Sequence, residues 1–486
     1  MRIPPAEHFI DNRYLPPLDG RTLPVIDPSD GSRFAALARG GADDVALAVA
    51  AARRAADGGA WSRLSPVERG RLLARLARAI EAHAEPLAAL ESRDCGKPMR
   101  QARADVAACA RYFEFYAGAC DKLHGTTIPY TPGYQVMTLR EPHGVTGHII
   151  PWNYPLQIFG RSVGGALAAG NACVVKPAED ACLSLLRLAE IAAGEGFPPG
   201  AINIVTGYGQ EAGQALAEAR GIDHLSFTGS AATGTRVAQA AALRHLPVTL
   251  ELGGKSPQIV FADADLERAL PVIVNAIVQN AGQTCSAESR LLVEAGAYEA
   301  VLAALAERFA ALRAGPAALD LDLGPLIRAS QKARVEGFLQ GLADRPGAGA
   351  WLRARGTVVP EAPAGGFYVA PVLVADADPK AAISCQEVFG PVLVAMPFRD
   401  EAEAITLANG TDYGLVAGVW TENGARAMRL AKAVKSGQVF INDYGAGGGV
   451  ELPFGGVKSS GYGREKGFEA LYGFTVLKTI VIRHGQ

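Results

Sequence analysis

The stretch VTGHIIPWNYPLQIFGRSVGGALAAGNACVVKP, residues 145–177, holds a short apolar run, a helix-length segment and a second short apolar run. The pattern repeats downstream, where apolar runs at 202–205, 225–227 and 248–250 are separated by helix-length segments at 182–193, 211–219 and 231–243. Short apolar strands that alternate with helices predict a mostly parallel sheet covered by helices on both faces. We therefore expect an α/β fold with a Rossmann-like, doubly wound sheet, whose ligand lies beyond the carboxyl ends of the strands.

Outside this region the sequence predicts a helical layer, a second α/β lobe and a terminal strand. Residues 42–118 carry Ala, Leu, Arg and Glu at helical spacing. Past Gly254 a second alternation begins, with strands predicted at 258–261, 290–293 and 437–441 and helices at 266–279 and 401–408. The final segment, 474–482, alternates like a strand. A terminal strand is an exposed edge, so we expect it to pair with another subunit or with the hairpin predicted at 125–138.

Composition narrows the class of protein. A chain of 486 residues is too long for one hydrophobic core, so two or three domains with a cleft between them are expected. The net charge of −2, with interspersed signs, gives no basic patch for nucleic acid, and no apolar run reaches the length of a membrane span. The seven cysteines lack metal-type spacing, which predicts reduced thiols and no metal site. Since residues 1–9 lack signal features, we expect a cytoplasmic location, with small molecules or copies of the chain as partners.

One cysteine lies in a polar context suited to chemistry. Cys285, in the segment NAGQTCS from Asn280 to Ser286, falls in a predicted turn between a helix and a strand. A thiol there can be partly exposed, as a nucleophile must be. The alternative is a buried structural thiol, because free cysteine commonly behaves as a small apolar residue.

Two further polar residues follow predicted strands. Asn153 comes after the strand 145–150, where its amide could donate to an oxyanion or could simply cap the next helix. Glu251 ends the apolar run 247–251 and precedes two glycines, so its carboxylate is placed for a raised pKa and general-base work. A salt bridge or an interaction with a helix dipole is the alternative for Glu251.

The loops also contain a candidate nucleotide site. The segment SFTGS, ending at Ser230, leads directly into the predicted helix 231–243, and free amides at a helix N-terminus with a hydroxyl can bind phosphate. Lys176 and Glu179 lie in a neighbouring loop, where a carboxylate can accept hydrogen bonds from ribose hydroxyls. Individually, each of these residues could also be a solvated surface group.

Seven motifs occur in a fixed order: PWNYP at 151–155, KPAE at 176–179, FTGS at 227–230, ELGG at 251–254, GQTC at 282–285, EVFGP at 387–391 and PFGG at 453–456. In this order they resemble the aldehyde dehydrogenase superfamily, of the NAD(P)-dependent, non-acylating type. The resemblance runs from about Asp27 to the last predicted strand. Because none of the motifs is decisive alone, it is their order that carries the resemblance.

The resemblance implies a role for each residue. An aldehyde would be oxidised to the carboxylic acid through a thiohemiacetal and a thioester on Cys285, with Glu251 activating water. The oxyanion would be held by the Asn153 amide and the Cys285 backbone N–H. The implied cofactor residues are Lys176 and Glu179 at the adenosine ribose, Ser230 with Gly229 at the pyrophosphate, Glu387 at the nicotinamide ribose, and Ile150, Trp152 and Phe389 around the nicotinamide. Glu179 would repel the 2′-phosphate of NADP, so NAD is the expected cofactor, with NADP as the alternative.

The resemblance also implies a division of the chain. Residues 1–122 and 142–252 would form the NAD(P)-binding domain, and residues 253–440 a second α/β catalytic domain with the nucleophilic cysteine. Residues 123–141 and 470–486 would form a small β flap for oligomerisation as a homodimer or homotetramer. Residues 441–469 would return the chain to the cofactor domain.

The substrate is less clearly indicated. Tyr154, Gln157 and Arg161 share one helix face and are expected to line the substrate entrance with Thr284, Ser286 and Phe454. Arg161 resembles the arginine that binds the carboxylate in succinic semialdehyde dehydrogenases, which suggests an aldehyde with an acidic or polar far end. Against this, Glu288 could neutralise Arg161, and an arginine buried in an interdomain salt bridge is an alternative. The glycines from 445 to 449, with Phe454, could instead leave room for an aromatic aldehyde.

Other classes of protein would use part of the same residues. A cysteine-dependent ester hydrolase would need the thiol, the oxyanion donor and the base, but would have no use for Lys176, Glu179 and Ser230. A non-catalytic nucleotide-binding protein would need neither Cys285 nor Glu251. An acylating, coenzyme A-dependent relative is disfavoured because Glu251 supplies the means to activate water.

Overall fold

We describe a computed structural model of the chain that covers residues 2–342, 349–445 and 449–485. The strands are β1 (His8–Ile10), β2 (Arg13–Leu15), β3 (Thr22–Ile26), β4 (Arg33–Ala38), β5 (Thr127–Ile128), β6 (Tyr134–Pro142), β7 (Val145–Ile150), β8 (Ala172–Pro177), β9 (Ile202–Ile204), β10 (His224–Thr228), β11 (Val248–Glu251), β12 (Pro257–Val260), β13 (Arg290–Glu294), β14 (Arg313–Ala314), β15 (Trp351–Arg355), β16 (Thr357–Val358), β17 (Val372–Ala375), β18 (Val392–Phe398), β19 (Val416–Trp420), β20 (Gln438–Ile441), β21 (Gly461–Tyr462) and β22 (Thr475–Arg483).

The helices are α1 (Ala42–Ala56), α2 (Pro66–Ala82), α3 (Ala84–Cys95), α4 (Met99–Ala119), α5 (Pro155–Ala169), α6 (Leu183–Gly194), α7 (Gln214–Glu218), α8 (Ala231–Ala242), α9 (Leu266–Val278), α10 (Tyr298–Ala311), α11 (Ala329–Leu339), α12 (Ala382–Cys385), α13 (Glu401–Asn409), α14 (Gly424–Ala433) and α15 (Glu469–Gly473). Within the described ranges, none of these helices is both long and apolar enough to cross a membrane.

The first large sheet has the strand order β2-β1-β9-β8-β7-β10-β11-β21. Its strands from β9 to β11 are parallel, and β7, β8 and β10 are almost entirely buried, as expected for strands covered on both faces. The chain runs from β7 outward to β9 and then returns to β10, so the strand order reverses between β7 and β10. Ligands of doubly wound sheets bind at such a reversal. The loops after β7 and β10 are therefore the place for a cofactor.

The second large sheet has the order β15-β17-β18-β13-β12-β19-β20 and is parallel except for its edge strand β15. Each large sheet packs into its own hydrophobic cluster. A third, small cluster of Leu415, Val416 and Phe454 lies against Cys285. The predicted α/β class, with a Rossmann-like parallel sheet and a second α/β unit, is confirmed.

The terminal strand finds its partner within the chain. β22 pairs antiparallel with β6 over its whole length, from Thr475 opposite Pro142 to Arg483 opposite Tyr134, and β5 adds to the other edge of β6. Of the two partners expected for this strand, the hairpin is therefore the one seen. β22 remains the edge of this sheet, and it exposes Val476, Leu477, Val481 and Ile482.

Two predicted helices differ from the structure near the loops. The segment 211–219 is divided into a π-helical turn, Gly209–Gly213, and the short helix α7. Helix α9 ends at Val278, one residue early, because Asn280 and Ala281 adopt left-handed backbone angles with φ of 48° and 53°. A helix cannot continue through such angles, which shape the turn before Cys285.

Candidate active site

The turn that carries Cys285 is held by close packing and hydrogen bonds. A Cβ atom on Gly282, whose φ is 74°, would collide with the backbone of Gly390. The Asn280 side chain donates to the carbonyl of Asn153 at 2.9 Å, and the Gln283 side chain donates to the carbonyl of Asn280 at 3.0 Å. These contacts fix the position of the cysteine two residues further on.

Cys285 opens onto a cavity of about 700 Å³. All six residues predicted to contact substrate line this cavity, together with Cys285 and Asn153: Tyr154, Gln157, Arg161, Thr284, Ser286 and Phe454. Cys285 is partly exposed, unlike the buried Cys95, Cys109 and Cys173. Its surroundings thus differ from those of a structural thiol.

Burial raises the pKa of Cys285 to about 11, partly opposed by the positive charge of Arg161. The backbone N–H of Ser286 hydrogen-bonds the sulfur and also lowers this pKa. The cysteine is therefore a thiol at neutral pH and must lose its proton when it reacts.

Asn153 does not cap helix α5. The N-cap residue of α5 is Tyr154, and it makes no side-chain capping bond. The Asn153 side-chain nitrogen donates instead to the carbonyl of Gln283 at 3.0 Å, which ties it to the cysteine turn. Its buried amide lies on the cavity wall with one N–H remaining for a further acceptor.

Asn153 is held from behind by a buried cluster of charges. Lys97, which is 1% exposed, donates to the Asn153 carbonyl at 2.9 Å. Its ammonium also lies 2.5 Å from Asp105 Oδ2 and 3.3 Å from Glu91 Oε1. Asp105 in turn accepts a hydrogen bond from Gln157 at 2.6 Å. The cluster therefore connects the predicted oxyanion donor to the cavity wall.

Glu251 is the last residue of β11 and is 1% exposed. In the described part of the chain, neither of its carboxylate oxygens has a hydrogen-bond partner. Burial raises its pKa well above the usual value, although Arg161 opposes this. Glu251 is not among the residues that line the cavity, but it is near enough for its charge to act on the Cys285 thiol. A carboxylate in this setting binds a proton more readily than an exposed one, as a general base must.

Arg161 is paired, but not with the residue that the sequence suggested. Its Nε lies 2.5 Å from Glu465 Oε2, and its Nη2 donates to Thr228 Oγ1 at 3.2 Å. Glu288, expected to neutralise Arg161, instead accepts a hydrogen bond from Gln258. That expectation was wrong because Glu288 is directed into the second sheet, where it is fully buried beside β12. Arg161 therefore forms a buried salt bridge, as in the second interpretation of this residue.

The predicted cofactor residues gather beyond the first sheet. Ile150 ends β7, and Lys176 near the end of β8 contacts Glu179 at 3.1 Å. Ser230 caps helix α8, with its hydroxyl 3.4 Å from the N–H of Thr233. Gly229 donates its N–H to the carbonyl of Glu251 at 3.0 Å, which joins this loop to the strand of the predicted base.

A second group faces these residues from the other lobe. Glu387 accepts a hydrogen bond from the Gly254 N–H at 2.9 Å, and burial raises its pKa to about 7. Trp152 and Phe389 meet edge to face with ring centres 5.4 Å apart. Phe389 has a left-handed backbone, with φ of 59°, and Gln331 holds its carbonyl at 2.7 Å.

These residues fit a dinucleotide. A Cβ atom on Gly253 would collide with the Glu387 carboxylate, so the glycine is needed where the two lobes meet. The N-terminus of α8 suits a pyrophosphate, the carboxylates suit ribose hydroxyls, and the aromatic pair provides a wall for a nicotinamide ring.

Sequence reasoning missed Lys97, Tyr444, Glu465 and Lys466. Tyr444 and Lys466 line the cavity, and the Tyr444 hydroxyl accepts a hydrogen bond from Gln279 at 2.6 Å. They lie more than 150 residues from Cys285 in the chain, so no local spacing links them to it. Of the glycine-rich loop proposed as a roomy mouth, residues 446–448 lie outside the described residues, while Phe454 is buried on the wall.

Comparisons with known proteins identify the family of the chain. A sequence profile of the aldehyde dehydrogenase family matches residues 15–480. The NADP/NAD-dependent aldehyde dehydrogenase PuuC of Escherichia coli is 40% identical over 98% of this chain and 95% of its own length. Among solved structures, a Burkholderia cenocepacia protein provisionally named an aldehyde dehydrogenase is 64% identical, with a TM-score of 0.96 over 99% of this chain and 100% of that one. PnpE from Pseudomonas sp. WBC-3, in complex with nicotinamide adenine dinucleotide, is 40% identical, with a TM-score of 0.94 over 99% of this chain and 98% of that one.

The chain belongs to the aldehyde dehydrogenase family. It is an oxidoreductase that oxidises an aldehyde to the carboxylic acid with NAD(P)⁺, and the expected reaction class is confirmed.

Proposed function

We propose that Cys285 is the nucleophile, that the Asn153 amide and the Cys285 backbone N–H hold the oxyanion, and that Glu251 is the base that activates water. The observation that carries this proposal is the shared cavity, on which the partly exposed Cys285 and the buried Asn153 amide both lie. The hydrogen bond from the Asn153 side chain to the Gln283 carbonyl holds the amide beside the turn that carries Cys285.

In the first half of the reaction, the Cys285 thiol releases its proton to solvent and its sulfur bonds to the aldehyde carbon. The former carbonyl oxygen becomes an oxyanion that accepts a hydrogen bond from Asn153, and one such donor contributes about 3 kcal/mol to the transition state. As the C=O bond re-forms, a hydride would leave this carbon, and NAD(P)⁺ held against Trp152 and Phe389 would supply the hydride acceptor. Cys285 then carries a thioester.

In the second half, Glu251 takes a proton from water, the water oxygen bonds to the acyl carbon, and the C–S bond breaks. The sulfur leaves as a thiolate that takes the proton from Glu251, which returns both Cys285 and Glu251 to their starting states. The effect of the Glu251 charge on Cys285 supports this role, because the carboxylate must lie near the sulfur to exert it. Its Oε1 lies 2.8 Å from the position of a Cβ on Gly455, so the glycine leaves this carboxylate its space.

For the cofactor we propose the assignment given by the resemblance: Lys176 and Glu179 at the adenosine ribose, Gly229 and Ser230 at the pyrophosphate, Glu387 at the nicotinamide ribose, and Ile150, Trp152 and Phe389 around the nicotinamide. We propose NAD in preference to NADP. The Glu179 carboxylate supports this, since it would repel a 2′-phosphate.

The proposed assembly is a homodimer or homotetramer in the cytoplasm. The exposed apolar side chains on the edge strand β22 support an association of copies. The separate hydrophobic clusters of the two large sheets support the division at residues 252 and 253. Light scattering of the purified chain tests the assembly, and a monomer at micromolar concentration would contradict it.

A pair of cysteine variants tests the nucleophile. Cys285→Ala should abolish NAD(P)H formation with every aldehyde offered. Cys385→Ala is the matched control, because this second partly exposed thiol does not line the cavity, and it should retain turnover. Turnover in Cys285→Ala would overturn the assignment. Ester cleavage by the wild type without NAD(P)H formation would favour the hydrolase alternative.

A further inference from the structure

Helix α4 forms one long wall of the cavity that holds Cys285. Ala104, Ala108 and Tyr112 of this helix line the cavity at intervals of four residues, so they share one helix face. Along this face the side chains change from exposed at Ala104 to half-buried at Ala108 and buried at Tyr112, so the face leads from the opening of the cavity inward. At 1.5 Å per residue, it extends over about 12 Å. The two alanines leave room beside much of this wall.

Helix α9 supplies a second wall, and this wall is largely apolar. Pro271, Val274 and Val278 line the cavity at spacings of three and four residues, again from one helix face. Ile158 and Leu312 add further apolar surface. The cavity volume of about 700 Å³ lies in the range of pockets that enclose drug-sized ligands, and it is far more than an aldehyde of two or three carbons would fill.

The hydroxyl groups of two tyrosines on the walls are engaged within the protein. The Tyr154 hydroxyl lies 2.9 Å from Thr284 Oγ1, within hydrogen-bond distance. The Tyr444 hydroxyl accepts a hydrogen bond from the Gln279 side chain at 2.6 Å. Because these polar ends are held by neighbouring side chains, the rings of both tyrosines remain as apolar surface for a ligand.

The charged side chains of the walls are engaged as well. The Arg161 guanidinium lies 2.5 Å from the Glu465 carboxylate, and the two form a buried ion pair. The Asp105 carboxylate lies 2.5 Å from the Lys97 ammonium. The ammonium of Lys466 lies over two aromatic rings of the wall, at 5.5 and 6.0 Å from their centres. A charged substrate would have to compete with these contacts, whereas an apolar one leaves them in place.

We propose that the preferred substrate is an aldehyde with a bulky apolar body, either an aryl group or a long alkyl chain, which lies along Ala104 and Ala108. This inference rests on the proposed function, in which Cys285 attacks the aldehyde in this cavity. Of the two substrate types that the sequence suggested, the aromatic aldehyde fits these walls and the acidic one does not. Because each CH₂ group that leaves water favours binding, kcat/KM should rise with the size of the apolar body.

Matched pairs of aldehydes test the proposal. We would measure kcat/KM for octanal against propanal, and for 4-isopropylbenzaldehyde against benzaldehyde. The wild type should prefer the larger member of at least one pair by about tenfold or more, and the pair concerned identifies an alkyl or an aryl body. Ala104→Leu and Ala108→Leu narrow the cavity, so each should lose about tenfold of that ratio and keep turnover of the smaller member. Ala107→Leu, at an exposed position of the same helix outside the cavity lining, should behave as wild type.

The outcomes separate this inference from the proposed function. A wild type without the preference in either pair, or one that prefers 4-carboxybenzaldehyde to 4-isopropylbenzaldehyde, would overturn the apolar substrate and leave the thioester mechanism standing. Unchanged ratios in both leucine variants, or equal losses for both members of a pair, would overturn the role of Ala104 and Ala108. Oxidation of no aldehyde by the wild type would instead count against the proposed function. If a leucine variant does not fold, the other variant and the wild-type ratios decide.

Discussion

Replacing Lys97 by methionine removes the centre of the buried charge cluster behind Asn153. The ammonium contacts Asp105 at 2.5 Å, Glu91 at 3.3 Å and the Asn153 carbonyl at 2.9 Å, and the three residues Lys97, Asp105 and Glu91 are each at most 1% exposed. Breaking a buried ion pair by removing one partner costs about 3–5 kcal/mol, since the other charge stays buried without compensation. We expect a loss of unfolding free energy of that order.

The loss should depend on pH with a definite sign. Burial raises the pKa of Glu91 and of Asp105, and Lys97 opposes this for both. Without Lys97, their folded-state pKa values rise further above those of the unfolded chain. A group of this kind stabilises the fold below its unfolded pKa, and that contribution is lost as the pH rises through its folded pKa. The deficit of Lys97→Met should therefore be larger at pH 8 than at pH 5.

Urea titration at both pH values, followed by tryptophan fluorescence, measures this deficit. Asp105→Asn in the Lys97→Met background should recover part of the loss, because one uncompensated carboxylate is removed. The kcat of Lys97→Met is compared with that of the wild type in the same experiment, since Lys97 also hydrogen-bonds the backbone carbonyl of Asn153. A Lys97→Met protein as stable as wild type at pH 8 would show that Lys97 does not stabilise the buried carboxylates of Glu91 and Asp105.

Three further predictions concern the chemistry. Asn153→Ala should lower kcat by about 10²–10³-fold with a smaller change in KM, because the Asn153 amide stabilises the oxyanion and not the aldehyde. An unchanged kcat in steady-state assays would show that Asn153 does not hold the oxyanion. Glu179→Gln should raise the ratio of kcat/KM for NADP to kcat/KM for NAD by about tenfold, because it removes the charge that repels the 2′-phosphate. Initial rates measured with each cofactor give this ratio. An unchanged ratio would argue against Glu179 as the cause of an NAD preference. Burial raises the pKa of Cys285 to about 11 and also raises the pKa of Glu251. Because both groups must lose a proton to act, kcat should rise from about pH 6 to about pH 9. A kcat that falls over this range would contradict these roles.

The sequence predicted the parts of the molecule that follow local rules. The alternation of apolar runs and helix-length segments from residue 145 to residue 251 specified the parallel sheet, because buried parallel strands are continuously apolar. Asn153, Ser230 and Glu251 follow or end strands of this sheet, so their presence at one edge follows from its topology. The six substrate residues line one cavity for the same reason, since five of them flank Asn153 or Cys285 in the chain.

The charge partners could not be predicted in this way. Arg161 and Glu465 are 304 residues apart, and Lys97 and Asn153 are 56 apart, so their pairing depends on how distant segments of the chain pack together and not on local spacing. Glu288 was a candidate partner of Arg161 because it lies three residues from Cys285. The tight left-handed turn at Asn280 and Ala281 and the burial of Glu288 beside Gln258 direct it elsewhere.

The central claim is that Cys285 carries a thioester which Glu251 helps water to cleave. The most direct test mixes the Glu251→Gln variant with aldehyde and NAD⁺ in a stopped-flow instrument and follows NADH at 340 nm, with Cys285→Ala as the control. We expect a burst of about one NADH per active site, followed by slow turnover, and a mass spectrum with the acyl group on the Cys285 peptide. Full steady-state turnover by Glu251→Gln, or a burst of the same size in Cys285→Ala, would contradict it.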